Sequence, residues 1–281
     1  MLASLRASKA GAFGAIVVAL FVTMAIFAPV LAPVNPDKMD LRSRFAPPTL
    51  TWNSLGAHPL GADQIGRDIL SRLITGSRIT LFVATTAVIA GGLLGVWLGL
   101  CAGYFGGWTE RIIMRIADMQ LSIPLMLLAL IVIAALGPSL PNLIGVLALT
   151  GWTRFARITR GEVLSLRERE FVLSARAAGA GPLRIIVRHI LPNALTAAIV
   201  VATLELARVV ILESALSFLG LGVQPPNASW GRMLADGRSY VSTAWWLTTF
   251  PGIAIVLVVL GVNMLGDWLR DYLDPKLSQS R

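Results

Sequence analysis

The sequence predicts an all-α polytopic membrane protein with six transmembrane helices. Three observations predict it. Of the 281 residues, 56% are hydrophobic and only 14% are charged, where a soluble domain carries about a quarter charged. Mean hydropathy is +0.74. Apolar runs long enough to cross a hydrocarbon layer of about 30 Å alternate with polar links in which the basic residues collect. The net charge of +9 would also suit nucleic acid. Nearly all of the basic residues are arginines between apolar runs, however, which is a mark of membrane topology, so no nucleic-acid partner is expected.

The first span runs from Gly11 to Ala32. Its apolar core is longer than that of a cleaved signal peptide, so it is expected to stay as a helix. A proline-rich loop follows, Pro33 to Ala57. His58 to Ile79 then reads as an amphipathic helix on the far side of the membrane, capped by Asp63, with Ile65, Ile69, Leu70, Leu73 and Ile74 on one face. Thr80 to Tyr104 is the second span. In it Gly91, Gly95, Gly99 and Gly103 recur every four residues, a small-residue face that lets another helix approach closely. Packing within the chain and contact with a partner both fit that face.

A connector, Phe105 to Arg115, leads to the third span, Ile116 to Leu136, with Pro124 as a kink. The fourth, Leu143 to Phe155, is short. A large polar loop covers 157–192. The fifth span, Ala194 to Gly222, carries Glu205, Arg208 and Glu213. Val223 to Trp246 is a tryptophan-bearing loop suited to the membrane interface. Leu247 to Leu265 is the sixth span, before a polar tail. Six spans leave both termini on one side. The N-terminus, the connector, the large loop and the tail together hold fifteen Lys and Arg, against eight in the two opposite loops. The positive-inside rule therefore puts both termini and the large loop in the cytoplasm.

Within that loop, Glu170 to Pro192 reads as a helix–glycine–helix knuckle. Phe171, Val172, Ala175 and Ala178 form one apolar stripe, Gly179 and Gly181 stop the helix, and Pro182 opens a second helix with Leu183, Ile186, Val187 and Ile190 as its stripe. Ala175, Ala177 and Ala178 are small enough for close approach by another protein, and Arg176, Arg184 and Arg188 could pair with its acidic groups. The residues fit a protein dock and a lipid-surface loop equally.

Ionisable residues within a span are costly and are functional candidates. Glu205 and Arg208, three apart, can pair on one face; Glu213 lies about two turns on. They can line a polar pathway or lock the fifth helix to its neighbours. No catalytic residue set is found. The three lysines follow Ser8, Asp37 and Pro275, so no P-loop is present. No nucleophile–His–carboxylate set occurs, and His58, His189 and Cys101 are isolated, so no metal or cofactor site is expected in this chain. Intramembrane carboxylates also fit an ion-coupled secondary transporter, but the knuckle has no repeat in the first half. A scaffolding membrane protein would not need the charged fifth helix.

The knuckle resembles the coupling loop of bacterial ABC importer permeases. Ser174 and Ala175 stand for its two small residues, Gly179 for its glycine, and Leu191-Pro192 for its closing pair. Leu173 departs from the leading Glu. Arg188 to Asn193, the HPLGADQIGRD lead-in, the Gly103–Arg115 connector, the LSFLGLG segment and the Gly266–Leu277 tail resemble the dipeptide, oligopeptide and nickel permease class. The resemblance covers nearly the whole chain. It implies a type I importer permease fold with cytoplasmic coupling helices, in a bacterial inner membrane. The chain is similar to the second, shorter permease of such a pair.

The implied partners are a second homologous permease, one or two ATP-binding subunits that hold the ATP and Mg, an extracytoplasmic solute-binding protein, and membrane lipid. Implied coupling residues are Phe171, Ser174, Ala175, Arg176, Ala178, Gly179, Arg188 and Pro192. The implied organisation is an N-terminal helix, loop and amphipathic helix over 1–79, a transmembrane domain over 80–270, and a cytoplasmic tail over 271–281. Di- or oligopeptides are the expected substrate, with glutathione and nickel chelates open. No His or Met cluster suited to nickel is present.

Overall fold

A computed structural model describes residues 4–5, 8–49 and 58–273. Regular structure among them is helical, apart from one isolated bridge between Ala62 and Asp68. Arg6, the end of the first outer loop and the tail beyond 273 lie outside the described residues.

Helix α1, Lys9–Ile26, starts at Ser8, whose hydroxyl accepts from the Gly11 amide at 3.1 Å. One further turn, Ala28–Leu31, follows. Ile16, Leu20 and Ile26 face outward, while Gly14 faces the last helix so closely that a Cβ there would lie 2.6 Å from the Gly261 carbonyl oxygen.

The segment His58–Ile79 departs from expectation. Helix α2 runs unbroken from Ile69 to Phe105, 37 residues, so the amphipathic segment and the second span are one rod of about 55 Å. The cap is Asp68, which accepts from the Ser71 amide at 2.7 Å; Asp63 accepts instead from the amides of Ile65 and Arg67. Nor is this an interfacial helix. Ile69, Ser71, Arg72, Ile74, Gly76 and Ser77 are all buried, on more than one face. Gly106 and Gly107, both at positive φ, turn the chain sharply at the end of the rod.

The predicted connector is itself helical: α3, Gly107–Leu121. At Pro124 the axis bends by 89° into α4, Leu125–Leu136. The proline does more than kink a span, because Ser122 and Ile123 also leave the helix. Helix α5, Leu140–Leu166, continues eleven residues past the predicted end at Phe155. Arg154, Arg157, Arg160 and Glu162 end its apolar run without ending the helix, since arginine and glutamate are good helix formers. Helix α6 is Glu170–Ala177. Helix α7, Pro182–Phe218, counts 37 residues and passes through a π-helical stretch at Ile186–Ile190. Helix α8, Trp230–Gly237, and helix α9, Trp246–Leu273, complete the order.

By length and apolarity four helices can cross a membrane: α1, α2, α7 and α9. A fifth is added if the bent pair α3–α4 is one span. Charges keep α5 out of that group. The core runs through α1, α2, α5, α7 and α9. Two tryptophans of the predicted interface loop belong to this core. Trp230 is fully buried, its indole donating to the Leu73 carbonyl at 3.0 Å, and Trp246 donates to the Ala62 carbonyl at 3.1 Å. Only Trp245 of the three is exposed. A buried indole N–H needs a partner, and the carbonyls of the outer segment supply it.

Candidate functional site

Two regions carry the residues singled out in the sequence: the knuckle at one end of the bundle and the charged middle of α7. Gly91, Gly95, Gly99 and Gly103 form a third group, on α2. All four pack against α5 of the same chain. A Cβ on Gly91 would lie 2.7 Å from the Ala148 carbonyl oxygen, on Gly99 2.6 Å from that of Ala156, and on Gly103 2.6 Å from Val163 Cβ. Gly95 meets the Trp152 carbonyl still more closely. The glycine face thus holds α2 and α5 at backbone contact.

The knuckle rests on the ends of these two helices. Val172, Ile185 and Ile190 are buried with Leu100 and Val163. Arg167 donates to the Gly103 carbonyl at 3.1 Å, tying the link before α6 to α2. The buried set differs from the predicted stripes. Phe171 is 43% exposed, Leu183 74% and Val187 53%, so those side chains face away from the bundle. Ile185 and Ile190, five apart, share the inner side because the π-helical stretch widens the turn there. That stretch ends two residues before Pro192, which has no N–H to donate and whose ring would crowd the Arg188 carbonyl in a regular α-helix. The Asn193 side chain donates to the neighbouring His189 carbonyl at 2.7 Å.

Gly179 has φ +82. Its amide donates to the Arg176 carbonyl at 3.0 Å, and the Ala180 amide to the Ala175 carbonyl at 3.1 Å. This is the paired bond pattern of a Schellman stop, which needs a left-handed residue. Ser174, Arg176, Ala178, Gly179, Arg188 and Pro192 are exposed and Ala175 is half-buried. Among the described residues, Arg176, Arg184 and Arg188 have no ion-pair partner within the chain. The rings of Phe171 and His189, 6.4 Å apart, bridge the two halves of the knuckle.

In α7, Arg208 donates to Glu205 at 2.9 Å, as the spacing predicts. A second arginine was not legible: Arg154 of α5 reaches the same carboxylate at 2.8 Å. Glu205 is 2% exposed, while Arg154 is half in the open. The group is therefore not self-neutralising; it carries one excess positive charge. Glu213 has no basic partner among the described residues. It lies fully buried among hydroxyls, accepting from Ser217 at 2.7 Å, with Ser214 at 3.5 Å. Ser217 in turn accepts from the Val223 amide, so the carboxyl organises the turn after α7.

A further cluster escaped the sequence reading. Asp63, Arg67, Arg72, Arg232 and Asp236 interlock at the opposite end of the bundle. Arg67 lies 2.6 Å from Asp63 and 3.5 Å from Asp236, Arg72 3.7 Å from Asp236, and Arg232 3.0 Å from Asp236. His58 contacts the cap residue Asp68 at 3.0 Å. Only the i,i+4 spacings of Asp63–Arg67 and Arg232–Asp236 gave a local signal.

Residues 91–279 match the family described as the inner membrane component of binding-protein-dependent transport systems. The chain belongs to that family. Residues 1–48 match the N-terminal transmembrane domain of oligopeptide transport permease C. The permease is 43% identical over 97% of its length to the dipeptide transport system permease protein DppC of Alkalihalophilus pseudofirmus, covering 88% of that protein. The DppC of Escherichia coli is 43% identical, with 98% and 91% covered. The di/tripeptide permease DppC of Pseudomonas aeruginosa is 40% identical, again with 98% and 91% covered.

Among solved structures, an inward-facing MetNI methionine ABC transporter chain superposes with TM-score 0.58 at 22% identity. The match covers 73% of the permease and 98% of that chain. The resemblance drawn from the knuckle therefore holds at the level of family and fold. As a multi-pass membrane component of a binding-protein-dependent ABC system, the permease works with ATPase and binding-protein partners.

Proposed function

We propose that this permease is the second, shorter membrane subunit of a heteromeric importer that carries di- and oligopeptides across the bacterial inner membrane. The observation that carries the reading is the near full-length likeness, at 40–43% identity, to permeases of dipeptide and di/tripeptide systems. Its partners are a second homologous permease, one or two ATP-binding subunits that hold ATP and Mg, and an extracytoplasmic binding protein that sets most of the selectivity.

In this reading α5 is a crossing helix, which makes six spans with both termini in the cytoplasm. Its charged half serves the cytoplasmic end, where the knuckle also sits. The transmembrane domain is 80–270, with the coupling loop at 157–192. The ATPases close on ATP and push the knuckle. Exposed Phe171, Ser174, Arg176 and Ala178 meet the ATPase, Ala175 lets it approach, and Arg176 and Arg188 pair with its acidic groups. Gly179 keeps the two halves of the knuckle at a fixed angle, and Pro192 marks where the second half passes into the span. The inner side, Val172, Ile185 and Ile190, passes the push to α2 and α5, and the spans reorient as a body. Glu205, Arg208 and Glu213 act as internal locks of α7 more than as pathway groups, because both carboxylates are buried and bonded to neighbours in the chain.

The test is gentle purification of the tagged chain from its native membrane, with mass spectrometry of what accompanies it. P-loop ATPases and a second permease are expected. The accompanying binding protein is then titrated with dipeptides, oligopeptides, glutathione and nickel. Binding of glutathione or nickel alone would replace the peptide assignment. A chain recovered alone that moves solute on an ion gradient would overturn the importer reading.

A further inference from the structure

The knuckle end of the bundle holds a second polar feature that the coupling scheme does not use. A groove of about 790 Å³ lies between α3 and α5. Its lining includes Glu110, Arg111, Arg115, Asp118, Arg157 and Arg160. Two of the four arginines are neutralised across the groove, Arg157 by Asp118 and Arg160 by Glu110. Arg111 and Arg115 have no ion-pair partner among the described residues, and both are exposed. The groove thus has an excess of two positive charges on one helix, one turn apart.

The same helix carries an apolar stripe open to its surroundings. Trp108 is 73% exposed, Ile112 55%, Ile116 48% and Met119 56%. At 100° per residue these four fall within about a quarter of the circumference. Arg111 and Arg115 fall on its edge, between the stripe and the groove. The Arg111 guanidinium lies over the Trp108 ring at 4.9 Å, which fixes it at that edge. Ala117, on the far side, is buried against α5 with Trp152. Going round α3, the order is packed face, polar groove, free arginines, apolar stripe.

That order matches one ligand chemistry. An anionic phospholipid has a phosphate for the arginines, polar headgroup atoms for the groove, and acyl chains for the stripe. A soluble anion would engage the arginines alone and make no use of the stripe beside them. A zwitterionic lipid would leave the charge excess unbalanced. We propose that α3 and α5 form a binding site for an anionic phospholipid at the membrane face that carries the knuckle, with Arg111 and Arg115 as its phosphate ligands.

The test uses the assembled transporter in mild detergent. Native mass spectrometry follows binding of dioleoyl phosphatidylglycerol and, separately, dioleoyl phosphatidylethanolamine. Wild type is expected to prefer phosphatidylglycerol. Arg111→Gln/Arg115→Gln is expected to bind it roughly tenfold or more weakly, two headgroup attractions being lost. Arg111→Lys/Arg115→Lys should keep most of the preference. No preference in wild type overturns the site, as does equal binding by the glutamine pair. Phosphatidylglycerol bound by the isolated chain and absent from the assembled transporter would mean that another subunit covers the face, and the proposal would fall. The wild-type comparison needs no variant to fold.

Discussion

Arg154 and Glu205 stand 51 residues apart in sequence and meet at 2.8 Å, joining α5 to the middle of α7. The carboxylate is buried and the guanidinium is half exposed. Solvent screening at the arginine limits what the contact contributes to about 1 kcal/mol. A double-mutant cycle of Arg154→Met and Glu205→Met, read by thermal unfolding in detergent, should return a coupling of about that size. Strictly additive single effects would mean the pair adds no stability.

Gly179 is constrained by backbone conformation alone. Its φ is +82 and a Cβ there would meet nothing within 4 Å. Gly179→Val puts a β-branched residue in the left-handed region, at a cost of about 1–2 kcal/mol confined to the knuckle. The expected variant assembles and hydrolyses ATP but imports poorly. Gly179→Asn, which tolerates that conformation, should import nearly as wild type. Normal uptake by the valine variant would remove the glycine's coupling role.

Glycines of the two packed helices should behave in opposite ways. A Cβ on Gly95 would lie 2.6 Å from Phe155 Cβ, against a fixed backbone. Gly95→Leu is expected to separate α2 from α5 and to cost about 3 kcal/mol or more. Gly161 has no atom within 4 Å of its added Cβ. Gly161→Ala should raise stability by about 0.5–1 kcal/mol through helix propensity. Both are read by melting temperature in one detergent.

Asp236 is shared by three guanidiniums, those of Arg67, Arg72 and Arg232, all mostly buried. Asp236→Asn leaves Asp63 as the one carboxylate of the cluster for three guanidiniums. A loss of about 2–3 kcal/mol is expected, with faster proteolysis in the segment before α2. Asp236→Glu should recover part of it. An unchanged proteolysis rate would show that the cluster does not hold this segment.

The knuckle was legible because its signals are local. A glycine stop, a first-turn proline and an apolar repeat each act within one or two turns. Helix lengths were less legible. Arg157 and Arg160 end a run of apolar residues, and hydropathy reads that as the end of a span, yet they favour helix and α5 continues through them. The same confusion split α2 at Thr80. Tryptophans misled for a different reason: Trp230 and Trp246 suit an interface by composition, but their indoles find carbonyl partners in the outer segment. The Arg154–Glu205 and Asp63–Asp236 groups had no signal beyond their local pieces, the i,i+3 pair Glu205–Arg208 and the i,i+4 pairs Asp63–Arg67 and Arg232–Asp236, since only the fold brings the rest together. The outward turn of Val187 was hidden by the π-helical stretch, which has no periodicity of its own to detect.

Helix α2 has no interior joint over its 37 residues. One end is anchored in the cluster around Asp63 and Arg72, and the other beneath Val172 and Ile190. It behaves as a tiller: a tilt of 5° about the outer anchor sweeps the inner end through about 5 Å over its length of roughly 55 Å. Docking of a partner at one face and movement of the knuckle at the other are then two readings of a single angle.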